Sequence, residues 1–194
     1  MNAMRRVALA AGVAAALAGP VGAQVKRLTE MPTFKVTSAD LRANARIDAR
    51  HLYRGFGCTG ENLSPQLSWS GFPKGTKSFA VLAFDPDAPT LSGWWHWVAF
   101  DIPVTVTSLP RGAGDPTKAL MPAGTKQSRT DFGVPGYGGP CPPPGDRPHT
   151  YRFLVVALSV PTLDVPPDAT AALVSFTIRA NALAVGGIMG RYSR

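Results

Sequence analysis

The stretch Asp85–Trp97, read D-P-D-A-P-T-L-S-G-W-W-H-W, constrains this chain more than any other. It follows an apolar run, Phe79–Phe84, that reads as a buried strand. Carboxylates at the end of a buried strand are costly unless they have partners. Pro86 and Pro89 fix the direction of the turn that carries them. On the strand that follows, alternation puts Trp94 and His96 on one face and Trp95 and Trp97 on the other. The expectation is a rigid polar pocket with an aromatic wall, Trp94 lining it and Trp95 and Trp97 left to the core.

The remaining residues have to supply a framework for that strand pair. A length of 194 residues fits one domain with a full core. With 45% hydrophobic and only 16% charged residues, a disordered chain is excluded. Nineteen prolines and twenty glycines suit strands joined by structured turns rather than a helical bundle. The strand candidates are Phe34–Val36, Gln66–Ser70, Phe79–Phe84, Trp95–Ile102 and Thr150–Val160. Pro103–Leu109 reads as a passage across a sheet edge. Residues 110–148 hold no long periodic run, and a stretch of that length inside a compact domain is usually functional or mobile. Pro167 and Asp168 suit the start of a helix over Asp168–Asn181. Its stripes are Ala172, Phe176, Arg179 and Leu183, with Leu173, Thr177 and Ala180 adjoining. Leu183–Arg194 is small and Gly-rich, a last strand or a tail. His51 stands alone and reads as a surface or structural residue.

Residues 1–23 read as a signal peptide. Arg5 and Arg6 form a charged region, Val7–Leu17 an apolar one, and Val21-Gly-Ala23 a small-residue cleavage site. The alternative, a retained anchor, needs an apolar run of ~20 residues. Export to the periplasm or medium is therefore expected, with residues 24–32 a flexible start to the mature chain. Cleavage would lower the net charge from +8 by two arginines. The remaining basic residues are scattered, without the dense aromatic-interleaved runs of a nucleic-acid binder. They favour anionic ligands or surfaces, peripheral membrane contact included, or merely a solvated exterior. Two cysteines, Cys58 and Cys141, in an exported chain suggest a disulfide, with two buried thiols as the alternative. Such a bridge closes 83 residues and would contribute about 4–5 kcal/mol in the chain-entropy model.

The chemical candidates are Asp85, Asp87, His96, His149 and Tyr151. Two histidines and a carboxylate could ligate a metal. They could equally hold an anion, since imidazolium and phenol groups donate and Gly-rich backbone adds N–H groups. Asp85 would then orient or charge a histidine. No G-x-S-x-G, H-E-x-x-H, zinc-finger or Walker pattern occurs, and no serine is placed by a motif as a nucleophile.

These residues carry a family resemblance. D-P-D-A-P at 85–89, W-W-H-W at 94–97 and G-G-P-C-P-P-P-G-D-R-P-H-T-Y at 138–151 resemble the phosphatidylethanolamine-binding protein (PEBP) family, in its bacterial YbhB/YbcL, or Raf-kinase-inhibitor-like, branch. G-C-T-G-E-N-L-S-P-Q-L-S-W at 57–69 and T-D-F-G at 130–133 support it, and the likeness spans residues 33–194. The resemblance implies a mainly β fold, with a central antiparallel sheet, a smaller sheet and a C-terminal helix near an anion pocket. It makes Asp85 and Asp87 the pocket aspartates and puts Trp94 on the family tryptophan. His96, His149 and Tyr151 fall on pocket positions, and Gly139, Cys141 and Pro142 on the loop that lends N–H groups and shape. Cys141 stands where animal members have glycine, so a Cys58–Cys141 bridge would pin the pocket rim. Tyr192 gives no match to the C-terminal pocket tyrosine of eukaryotic members, and the kinase-inhibiting role does not transfer.

The implied ligand is a small anion, such as phosphate or acetate, or a phospholipid head group. It would be held without catalysis, cofactor or metal, by a monomer or homodimer. The rival readings are a protein-interaction module that inhibits or modulates a partner, and a phosphoesterase using Asp85 and His96 as base and acid.

Overall fold

The structure, a computed structural model, describes residues 30–194; the stretch read as a signal peptide, and the part of the expected flexible start up to residue 29, lie outside the described residues. The central element is β5 (Ser78–Asp85), S-F-A-V-L-A-F-D, buried along almost its whole length. Its near-continuous apolar run reflects burial on both faces rather than on one. It is flanked by β6 (Trp94–Pro103) and β9 (His149–Leu158). Two edge strands, β8 (Lys126–Gln127) and β10 (Ala182–Tyr192), complete an antiparallel sheet ordered β10-β9-β5-β6-β8.

A smaller antiparallel sheet of three strands covers one face. It consists of β1 (Lys35–Thr37), β4 (Leu67–Ser70) and β7 (Ser108–Leu109). Its Leu67, Trp69 and Leu109 join Phe79, Val81 and Ala83 of β5 in one core cluster. The helix α1 (Ala171–Asn181) covers the opposite face. There Ala171, Val174 and Ile178 meet Ala80 and Leu82 of β5 and Val98 of β6. Each large aliphatic side chain so enclosed contributes about 1.5–3 kcal/mol of burial. A two-stranded ribbon, β2 (Arg54–Gly55) with β3 (Cys58–Thr59), lies apart from both sheets.

The fold is mainly β with one α-helix among the described residues, as the resemblance implies. Three local expectations change. The helix begins at Ala171 and not Asp168, because Pro166 and Pro167 form a turn closed by Ala169 N–H to the Pro166 carbonyl. Thr170 then caps the helix, accepting from Leu173 N–H. The expected stripes face outward, with Leu173 and Phe176 exposed, while Ala171, Val174 and Ile178 form the buried face. Of the two readings of the C-terminal stretch, last strand or tail, the strand holds from Leu183 to Tyr192 within β10, its outer edge covered by the chain between Pro32 and Ile47. Val185 N–H reaches the Pro32 carbonyl, Asn44 N–H that of Met189 and Ile47 N–H that of Arg191. Covering a long edge this way denies it to another chain. The end of the stretch read as flexible, Met31 and Pro32, is thus docked, Met31 within the helix-side core.

The third change concerns the tryptophans. Ala83 pairs with Trp97 but Phe84 pairs with Trp95, so His96 is the extra residue of a β-bulge. A bulge re-aims the side chains on either side of it. Trp95 accordingly packs on the helix-side cluster and Trp97 in the cluster under the small sheet, on opposite faces. Trp94 and His96 still point into one space, as expected.

Candidate anion site

A cavity of about 200 Å³ opens where β5 ends, β6 begins and β9 begins. Asp85, Trp94, His96, Cys141, Pro142, His149 and Tyr151 line it, seven of the nine residues singled out from sequence. Asp85 pairs with Trp94 across the β5–β6 ladder. Tyr151 and His149 arrive two apart on β9, their rings stacked with centroids 6.3 Å apart. The His96 ring meets the Tyr151 ring edge-on at 5.2 Å.

The buried polar groups are held from behind. Asp85 Oδ2 accepts from His149 Nδ1 at 2.7 Å, and Asp85 Oδ1 accepts from the Asp87 N–H at 2.8 Å. The other His149 nitrogen, Nε2, faces Asp146 Oδ2 at 3.3 Å. Asp85 therefore orients His149, while His96 is oriented by the backbone: its Nδ1 donates to the Gly138 carbonyl at 2.6 Å. Burial pushes the His96 pKa below the ordinary 6.5, and the Gly138 and Asp85 oxygens offset only part of that. Burial, reinforced by the Asp85 charge, pushes the Tyr151 phenol far up, so it stays a hydroxyl donor.

Two sequence candidates lie behind the cavity and not in its wall. Asp87 Oδ1 accepts from Arg147 at 2.8 Å and its Oδ2 from Thr150 N–H at 2.8 Å, which ties the turn to the start of β9. Gly139 spends its N–H on Asn62 Oδ1, and a Cβ there would lie 2.1 Å from the His51 carbonyl oxygen. The glycine is thus needed for close backbone approach. Since Pro142 has no N–H, the Cys141 N–H is what the expected loop positions can offer a ligand. Cys141 is bonded to Cys58, which anchors the rim to the β2–β3 ribbon. Tyr192 is not part of the wall; Arg46 lies over its ring.

Sequence reasoning missed Phe56, Ala88, Pro89, Thr90, Phe132 and Pro143, which also line the cavity. Phe132 sits in the T-D-F-G piece and was within reach. Its ring meets those of Trp94 and His96 edge-on, at 5.5 Å and 5.4 Å. Phe56 carried no signal, because its place depends on the disulfide-held ribbon. The lone His51 is wholly buried and structural, with Nδ1 at 2.7 Å from the Leu63 carbonyl. Among the described residues no group of three His, Cys, Asp or Glu side chains is placed to hold a metal ion, and no helix is long and apolar enough to cross a membrane.

Comparison with known proteins agrees with this architecture. The family model described as phosphatidylethanolamine-binding protein matches residues 37–193. YbcL of Escherichia coli is 48% identical over 159 residues, 82% of this chain and 87% of that protein. YbhB of the same organism is 45% identical over 160 residues, 82% of this chain and 100% of that protein. The crystal structure of E. coli YbcL, described as a member of the mammalian PEBP family, superposes with a TM-score of 0.81 over 83% of this chain and 98% of that one. The chain belongs to the phosphatidylethanolamine-binding protein family.

Proposed function

We propose that this protein is a binding protein that takes a small oxyanion, free or as the head group of a phospholipid, into the cavity between Asp85, His96, His149 and Tyr151. The observation that carries this reading is the cavity itself, a pre-formed space of about 200 Å³ whose wall combines an aromatic surface with convergent buried polar groups. A wall of that kind fixes a small ligand by few bonds in a low-dielectric setting.

The binding is non-catalytic. Of the hydroxyl and sulfur groups in the wall, Thr90 donates to the Gly93 carbonyl at 2.6 Å, Cys141 is in the disulfide, and burial keeps the Tyr151 phenol protonated. The protein works in an oxidising compartment, periplasm or medium. The Cys58–Cys141 bridge and the leader-like residues 1–23 support that reading.

Ala88 lines the cavity, so Ala88→Trp fills it without replacing any of the polar groups. Millimolar phosphate or phosphoethanolamine is expected to raise the melting temperature of the wild type and to leave that of Ala88→Trp unchanged. Equal shifts in both proteins, or none in either, would refute the assignment of the ligand to this cavity.

A further inference from the structure

Arginines that lie scattered in the sequence are gathered by the fold in one place. Arg42, Arg46, Arg50 and Arg111 line an open cleft of about 500 Å³, and none of the residues lining it lines the cavity at the end of β5. Two carboxylates, Asp40 and Asp48, share the cleft, so its cations outnumber its acids. The backbone beneath is fixed. Asn44 N–H donates to the Met189 carbonyl and Ile47 N–H to that of Arg191, both on β10, and Leu63 N–H donates to the Arg50 carbonyl.

Both carboxylates are spent on holding arginines. Asp40, its side chain only 2% exposed, accepts from Arg111 Nε and Nη2 and from the Gln66 N–H. Asp48 Oδ1 accepts from the Arg50 N–H at 3.0 Å and from Arg50 Nε at 2.8 Å. A guanidinium carries five N–H donors in a rigid fork. Among the described residues, these bonds leave both terminal nitrogens of Arg50 and Nη1 of Arg111 unpartnered, on side chains that are each 43% exposed. Arg42 and Arg46 have no carboxylate partner among the described residues. Arg46 lies 4.5 Å from the centroid of the Tyr192 ring, a contact that positions its guanidinium. Like charges gathered on one surface repel, and a bound anion relieves that repulsion.

The lining narrows the class of anion. No Phe, Trp or Tyr and no large aliphatic side chain belongs to it. The cleft therefore offers neither an aromatic platform for a nucleobase nor an apolar wedge for a bilayer. Its volume is that of a small-molecule site. Guanidinium forks match phosphate oxygens in pairs. We infer that this cleft binds a compact anion bearing two or more phosphate groups. Arg42 and Arg46 supply the uncompensated charge, and Arg50 and Arg111 the donors oriented in advance by Asp48 and Asp40. The site is separate from the oxyanion cavity and does not depend on what that cavity holds.

Titration calorimetry with tripolyphosphate, free of divalent cations and at constant ionic strength, tests this. It is run on Ala88→Trp, whose cavity is filled, so that binding there reports the cleft. Ala88→Trp is expected to bind tripolyphosphate, and to bind orthophosphate at least about tenfold more weakly, since one phosphate group engages fewer of the forks. Adding Arg42→Gln and Arg46→Gln is expected to weaken tripolyphosphate at least about tenfold while leaving the melting temperature of the unliganded protein unchanged. Should Ala88→Trp not fold, the same two substitutions in the wild-type chain decide by the same loss. Tripolyphosphate bound by the wild type but not by Ala88→Trp would assign the anion to the cavity and overturn the cleft. Unchanged affinity in the arginine variant would overturn it too. Citrate binding as tightly as tripolyphosphate would overturn the choice of phosphate. Capture on phosphatidylglycerol vesicles that needs Arg42 and Arg46, with no tripolyphosphate bound, would make the cleft a bilayer contact and refute the small-anion assignment.

Discussion

His96 shows how much one residue's setting depends on its neighbours. It is the extra residue of a bulge, bonded through Nδ1 to the Gly138 carbonyl and almost wholly buried. Burial depresses its folded-state pKa below 6.5. As pH falls through 6.5, the unfolded chain takes up a proton that the folded chain refuses. The stability that neutral His96 confers is therefore present above that pH and declines below it, until the folded pKa is reached. Urea unfolding between about pH 7 and pH 5 is expected to show stability falling with acid, and His96→Phe is expected to flatten that slope. A slope of unchanged size in the variant would assign the effect to other groups. The type of residue at position 96 was legible in the sequence, and so was its pocket-facing side. Its tautomer was not, because that is set by a carbonyl 42 residues away.

At the scale of elements, periodicity located β1, β4, β5, β6 and β9 to within a residue or two, while the two-residue strands β2, β3, β7 and β8 carry too few residues to show a period. β5, β6 and β9 run Ser78–Asp85, Trp94–Pro103 and His149–Leu158. The bulge at His96 in β6 escaped because period-two alternation assumes an unbroken ladder, and a bulge breaks it at no cost visible in composition. The helix start escaped for a different reason. Asp168 and Thr170 are both good caps by type. Only the turn closed on Pro166 decides between them. Thr170→Ala is expected to cost about 1 kcal/mol of unfolding free energy, whereas Asp168→Ala should be near neutral. Equal losses from the two substitutions, measured by denaturant unfolding, would contradict the assigned cap.

Across the whole molecule, the Cys58–Cys141 bridge joins regions that no strand pairing connects. It fixes the rim loop that carries Cys141 and Pro142 to the ribbon that places Phe56 against the cavity. Arg194 adds a second tie, its Nε donating to the Pro142 carbonyl at 2.8 Å. A loop of 83 residues predicts a loss of about 4–5 kcal/mol for the Cys58→Ser/Cys141→Ser double variant. The same variant is expected to show a smaller thermal shift with phosphate, because the rim is no longer pinned. Full retention of both stability and shift would leave the bridge without a role at the cavity.

The sequence by itself determined the mainly β character, the central strand pair and the residue types gathered at its end. Those follow from local patterning and turn chemistry, which act over a few residues. Only the tertiary structure decided that Asp87 and Gly139 stand behind the wall and not in it, since their partners are Arg147, Thr150 and Asn62. It alone placed Trp95 and Trp97 on opposite faces. Those placements depend on hydrogen bonds and packing between residues far apart in the chain, which local patterning does not encode.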